Sequence, residues 1–179
     1  MLSNKITPGL VTYNTILHGL WRVSEAKELY VNMIKCGMQL DIYTIMINAL
    51  LKSGRKEDAM DLFAAISAHG LVPDVVTYRL MIENLIKEGL LEESDNLFLA
   101  MEKSGCTPNS RMLNAIVRRL LHRGEIMRAG AYLYKIDEKN FSLEASTTSL
   151  LLSVFSREEY RHQAKTLPEK YHFLEEFNR

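Results

Sequence analysis

Val75-Val76-Thr77-Tyr78-Arg79-Leu80-Met81-Ile82-Glu83-Asn84-Leu85-Ile86-Lys87-Glu88-Gly89 sets Tyr78, Met81, Ile82, Leu85 and Ile86 at helical spacing and stops at a glycine suited to the left-handed conformation that ends a helix. A second helix follows at once, with Leu90, Leu91, Leu97, Phe98 and Met101 as its predicted apolar stripe. Gly105-Cys106-Thr107-Pro108-Asn109 then breaks it, because Gly tolerates positive φ and Pro cannot continue the hydrogen-bond ladder. The stretch reads as helix, tight turn, helix, break.

Shifted by 35 residues, the chain falls on itself: Gly54, Gly89 and Gly124 coincide, as do Leu62 with Leu97, and Ile66 with Met101 and Ile136. A unit this short cannot bury its own apolar face, so the period predicts a stack of units sharing one continuous core. The break recurs as Gly37-Met38-Gln39-Leu40-Asp41, as Gly70-Leu71-Val72-Pro73-Asp74 and, more weakly, as Asn140-Phe141-Ser142-Leu143-Glu144. These breaks divide the chain into a lead-in (1–9), units at 10–41, 42–74, 75–109 and 110–144, and a C-terminal helical cap at 145–179. The first two units have 32 and 33 residues against 35 in the others. The first lacks about three at its turn, Leu20-Trp21-Arg22-Val23-Ser24, and the second lacks two at the start of its first helix, Ile42-Tyr43-Thr44-Ile45. After Glu144 the period fades. Ala145 to Phe155 is predicted as one helix and Leu167 to Phe177 as another, broken by Pro168, with Glu158-Glu159-Tyr160-Arg161 and Glu175-Glu176 supplying the polar outer face a terminal unit needs.

Composition suits a packed helical stack: 47% hydrophobic and 25% charged residues, nine Met and only four Pro in 179 residues. No uncharged apolar run approaches the ~20 residues that span a bilayer. The N-terminus, Met1-Leu2-Ser3-Asn4-Lys5-Ile6-Thr7-Pro8-Gly9, has one basic residue and does not read as a transit peptide. It is the expectation for the tail of a longer protein, or for a truncated product that has lost its targeting signal. Cys36 and Cys106 lie two units apart, beyond the reach of a disulfide, and read as small semi-buried thiols.

The net charge of zero, 22 basic against 22 acidic residues, conceals a segregation. The first helices (10–22, 42–54, 75–89, 110–124) carry 8 Lys/Arg and 2 Asp/Glu, and the second helices (23–36, 55–69, 90–104, 125–139) carry 8 Lys/Arg and 12 Asp/Glu. In helical repeats one helix layer lines the concave surface, so a basic first layer attracts a phosphate backbone. Arg22, Lys52, Lys87 and Arg123 sit near first-helix ends, where cations also complement the helix dipole. Their recurrence in every unit, together with Arg111, Arg118 and Arg119, favours phosphate contact.

Val11-Thr12-Tyr13-Asn14-Thr15-Ile16-Leu17-His18-Gly19-Leu20, Val75-Val76-Thr77-Tyr78, the Gly-x-x-Pro-Asp/Asn ends and the spacing of 35 resemble the pentatricopeptide repeat family, P-class, of organellar RNA-binding proteins, over roughly residues 10 to 144. The segment from Leu71 to Tyr171 is similar to the C-terminal end of plant mitochondrial fertility-restorer proteins of that family. The resemblance implies an all-α, right-handed α-solenoid of helix-turn-helix repeats with a C-terminal capping helix pair, a single-stranded organellar transcript as partner, and a mitochondrial location. It also implies that the fifth and last residues of each unit read one base and the second wedges between bases. Transferred, these are Asn14 and Asp41 with Val11, a uracil-preferring pair; Thr44 and Asp74, a guanine-preferring pair whose register the two-residue loss disturbs; Arg79 and Asn109 with Val76; and Asn114 and Glu144 with Arg111 in the wedge place. The last two pairs depart from the family pattern. Asp41, Asp74 and Asn109 also immediately precede helices, where Asp and Asn serve as N-caps.

No enzyme is visible. His18, His69, His122, His162 and His172 are scattered, and no metal-ligand spacing, phosphate loop or Ser/His/Asp set occurs, so no cofactor, metal or small-molecule substrate is implied. The leading expectation is a non-catalytic RNA-binding module that occupies a transcript and directs its processing or stability. The alternatives are a protein-binding helical-repeat scaffold that docks a processing partner through its acidic layer, and a truncated product with weak, non-specific RNA binding.

Overall fold

The computed structural model describes residues 40–68 and 70–175, with side chains placed from Tyr43 to His172. The first predicted unit lies outside the described residues except for the backbone of Leu40 and Asp41, and with it go Val11, Asn14, Arg22 and the Asp41 side chain. Every regular element among the described residues is helical: α1 (Leu40–Lys52), α2 (Lys56–Ala68), α3 (Val75–Glu88), α4 (Leu91–Lys103), α5 (Ser110–His122), α6 (Ile126–Glu138), α7 (Ala145–Phe155) and α8 (Glu158–Arg161), then 3-10 turns at His162–Thr166 and Glu169–Glu175. The chain divides into two compact units, Met1–Thr77 and Tyr78–Arg179, with the boundary inside α3.

In the first compact unit α1 packs on α2, burying Tyr43, Met46, Ile47 and Leu50 against Ala59, Leu62 and Ile66. The sequence expectation of a loss at the start of this helix needs correction. α1 begins at Leu40, fourteen residues before Gly54, the spacing that also separates Val75 from Gly89 and Ser110 from Gly124. The helix is of full length from Leu40 to its closing glycine. Thr44 is therefore in register with Arg79 and Asn114.

The second unit is two-layered. Arg119 reaches from α5 to Glu83 on α3, and Arg118 from α5 to Thr147 on α7, so first helices stand side by side. Phe98 on α4 meets Tyr132 on α6 edge-to-face, ring centroids 5.1 Å apart, so second helices form the other layer. Between the layers lie Met81, Ile82, Leu85 and Ile86 of α3, Phe98 and Met101 of α4, Ile116, Val117, Leu120 and Leu121 of α5, and Ala129, Leu133 and Ile136 of α6.

One backbone device ends these helices. The amide of Leu90 returns to the Leu85 carbonyl and that of Gly89 to Ile86, and the same pair of bonds recurs at Arg55 and Gly54 and at Glu125 and Gly124. Closing that loop requires positive φ, which Gly89 supplies at 83°. At the end of α6 the place is taken by Asn140, φ 53°, the side chain that best tolerates this region after glycine.

Two further expectations change. Leu90, assigned to an apolar stripe, precedes α4 and is exposed, while Ser94 is buried at a site whose counterparts Ala59, Ala129 and Ala164 are also buried. The position needs a small side chain, and Ser94 satisfies its hydroxyl on the Leu91 carbonyl at 2.7 Å. The period also does not fade at Glu144. α7 starts 35 residues after α5, and Ala164, Leu167 and Tyr171 are buried 35 residues after Ala129, Tyr132 and Ile136. The predicted helix from Leu167 becomes a 3-10 turn beginning after Pro168, so only α7 of the capping pair is a full α-helix. Those turns press on α6 at Gly130, where an added Cβ would lie 3.4 Å from Leu167 Cδ2.

Candidate functional site

Among the described residues, the predicted base-reading residues occupy helix starts and the loops before them, and the structure engages each in a different way. Asp74 caps α3: its Oδ1 accepts from the Thr77 amide at 2.7 Å and from the Thr77 hydroxyl at 2.8 Å. Thr77 Oγ1 is in turn 2.5 Å from Thr44 Oγ1, so Thr44 and Asp74 are bridged through a buried threonine. Val76 is 40% exposed on the first turn of the same helix. Asn109 caps α5 by accepting from the Met112 amide at 2.9 Å and is otherwise exposed.

Asn114 and Glu144 are more deeply committed. Asn114 is fully buried; its Nδ2 donates to the Ser110 and Ser142 carbonyls at 2.9 and 3.1 Å, and its Oδ1 accepts from the Glu144 amide at 2.9 Å. The Glu144 carboxylate accepts from Arg118 Nη1 at 2.7 Å. The side chain of Asn114 thus splices the break at 141–144 onto α5.

The basic residues separate likewise. Arg118 also donates to Ser146 Oγ at 3.1 Å and Thr147 Oγ1 at 2.8 Å, which ties α5 to the head of α7. Arg123 donates to the Lys87 carbonyl at 3.0 Å and lies across Gly89, a cation on the negative end of α3. Lys52, Lys87 and Arg111 are exposed, and none of their side chains is paired among the described residues. Arg119, 50% exposed, and Arg79 both pair with Glu83. Glu83 was not singled out from sequence; its link to Arg119 becomes visible only when the period is used to lay α5 beside α3.

In the second layer three cations pair with neighbouring acids: Arg128 with Asp95, Lys135 with Glu102 at 3.3 Å, and Lys170 with Asp137, while Lys103 is exposed. Lys135 Nζ also stands 5.0 Å from the Phe98 ring centre. Tyr132 donates to Asp95 at 3.1 Å, and burial, then the Asp95 charge, push its phenol far above the usual tyrosine range. Among the described residues no three His, Cys, Asp or Glu come together to hold a metal ion, and no helix is long and apolar enough to cross a membrane.

Models of the PPR repeat family match residues 40–87 and 73–121, and a model of the single PPR repeat matches residues 11–38. Protein Rf1, mitochondrial, of Oryza sativa subsp. indica is 61% identical over 59 residues, which is 33% of this chain and 8% of that protein. A pentatricopeptide repeat-containing protein of Arabidopsis thaliana is 34% identical over 87 residues, 44% of this chain and 12% of that protein. The chain thus matches only a small part of the length of either relative. In fold it is similar to the crystal structure of the pentatricopeptide repeat protein PPR10 from maize (TM-score 0.70, 19% identity, 96% of this chain and 25% of that one). The same holds for PPR10 crystallised with an 18-nt psaJ RNA element (TM-score 0.67, 18% identity, 96% and 26%). The period, the helical hairpins and the matched residues converge on one conclusion: the chain belongs to the pentatricopeptide repeat family.

Proposed function

We propose that the chain is a single-stranded-RNA-binding module of a mitochondrial RNA-processing or stability factor of fertility-restorer type, taking one nucleotide per repeat and acting without catalysis. The observation that carries this reading is the excess of exposed cations on first helices, Lys52, Lys87, Arg111 and Arg119 against Glu88, while on second helices exposed Glu57, Glu92, Glu93 and Glu138 outnumber Lys103. Cations of that kind attract a phosphate backbone. The kinship with Rf1 supports the mitochondrial setting, and the RNA element crystallised with PPR10 supports the class of ligand.

Within this reading the units play unequal parts. Thr44 with Asp74, and Asn14 with Asp41, are the base-reading pairs. Arg79 with Asn109 and Asn114 with Glu144 contribute little discrimination, since the Asn114 amide is already spent on the protein's own backbone. Stacking adds ~1–3 kcal/mol per base, so a few units bind modestly once association costs are met. A gel shift comparing single- and double-stranded RNA tests the proposal. Salt-sensitive preference for the single strand is expected; equal or absent binding at tens of micromolar protein contradicts it.

One observation favours a second, protein-docking face. Leu99 on α4 and Met127 and Tyr134 on α6 are 50%, 65% and 51% exposed on the second-helix layer. Pull-down from mitochondrial extract with and without ribonuclease separates the readings: a partner retained after ribonuclease treatment supports docking, and recovery of RNA alone counts against it.

A further inference from the structure

Arg79, Glu83 and Arg119 form a bridge between α3 and α5 in which each oxygen of one carboxylate holds one guanidinium. Glu83 Oε1 accepts from Arg79 Nη1 and Oε2 from Arg119 Nε, both at 3.1 Å. The carboxylate is the shielded member, its side chain 16% exposed, and Arg119 is the open one. Two arginines converging on the two oxygens of a single anion is the arrangement in which guanidinium groups grip the non-bridging oxygens of a phosphodiester. Three charges leave the group net positive, so it attracts a second anion even while Glu83 is in place.

Packing does not demand a carboxylate here. The residues equivalent to Glu83 are Asn48 in α1 and Arg118 in α5, so no common core role fixes the position. The neighbouring Arg118–Glu144 pair is of another kind: Ser146 and Thr147 hold the same guanidinium, and the link is a fixed part of the α5–α7 contact. Among the described residues the Glu83 carboxylate is held by the two arginines alone, and Arg119 is half exposed.

We infer that Glu83 is an internal stand-in for an RNA phosphate: it holds Arg79 and Arg119 oriented for a phosphodiester and gives them up when a single strand docks. The inference rests on the RNA-binding reading and adds to it. Arg79, at a base-reading position, serves the backbone instead, and Glu83 sets how tightly this repeat grips any sequence. Exchanging one anion for another costs little, because a partly exposed ion pair is worth little to begin with.

Fluorescence anisotropy of a labelled single-stranded oligouridylate with the full chain, at a series of salt concentrations, tests this. Glu83→Gln keeps the side-chain shape and removes the competing charge. It is expected to tighten binding about three- to tenfold at low salt and to leave the slope of log K against log salt nearly unchanged, because the same two arginines reach phosphates once either protein is bound. Glu93→Gln, on an exposed position of α4, removes the same charge and is expected to change affinity less than twofold. The gain from Glu83→Gln is expected to vanish when Arg79→Gln and Arg119→Gln are added, and circular dichroism melting confirms that each variant folds. Equal binding by wild type and Glu83→Gln overturns the inference while leaving the RNA reading intact; binding by neither overturns both. A gain that survives loss of both arginines also overturns it.

Discussion

Asn114 and Glu144, which the family resemblance pairs as candidate readers of one base, are bonded to each other: the Glu144 amide donates to Asn114 Oδ1 at 2.9 Å. Their first duty is structural. Asn114→Ala leaves the part-buried Glu144 amide without its partner, while the Ser142 carbonyl keeps the Ser110 hydroxyl at 3.2 Å, and is expected to cost about 1 kcal/mol. Urea unfolding measures it. A change below a few tenths of a kcal/mol would show that the splice does not hold the repeat end.

Arg118 and Arg119 are adjacent in sequence and opposite in role. Arg118→Ala is expected to lower stability by about 1 kcal/mol through the loss of the Glu144 and Thr147 bonds, with a small effect on RNA affinity. Arg119→Ala is expected to do the reverse. Parallel melting and binding measurements on the two variants check this, and identical effects would contradict it.

Gly89 and Gly105 share a backbone conformation, φ 83° and 82°, but not surroundings. A Cβ at Gly89 would lie 2.8 Å from Arg123 Nη2, whereas at Gly105 it meets nothing within 4 Å. Alanine at either site pays about 1 kcal/mol for the left-handed conformation. Gly89→Ala is expected to cost more, because Arg123 must leave the end of α3. Equal destabilisation in thermal melts would mean that Arg123 contributes nothing there.

Stability is expected to fall at alkaline pH. The folded-state pKa of Tyr132 is raised by burial and by Asp95, so the folded chain keeps its phenol proton where the unfolded chain releases it. Its contribution is fully present below the unfolded pKa of about 10 and is lost as pH rises beyond that towards the folded value. Tyr132→Phe is expected to flatten the decline between pH 10 and 11, about the range where the unfolded tyrosine ionises. An unchanged slope would assign the alkaline loss to other groups.

Most of the fold was legible because a repeat states its rules several times. The turn glycines, the Pro-Asp/Asn breaks and the spacing of 35 placed helices such as Val75–Glu88 closely. The C-terminal turns were harder: Ala164, Leu167 and Tyr171 keep the period, but Pro168 and the 3-10 geometry hide it from a helical template. The site was legible by residue type and not by engagement. Nothing in the string Val117-Arg118-Arg119 says which arginine is tied to Glu144 and which is open to solvent, since both partners lie roughly one repeat away. Glu83 escaped notice for the same reason.

The central claim is that RNA lies on the first helices. Ultraviolet crosslinking of a bound single-stranded RNA, followed by mass spectrometry of the attached peptides, tests it most directly. The account predicts adducts on peptides from residues 40–52, 75–88 and 110–122, around Lys52, Val76, Lys87, Arg111 and Arg119. Adducts concentrated instead on 91–103 and 126–138, around Leu99, Met127 and Tyr134, would contradict it.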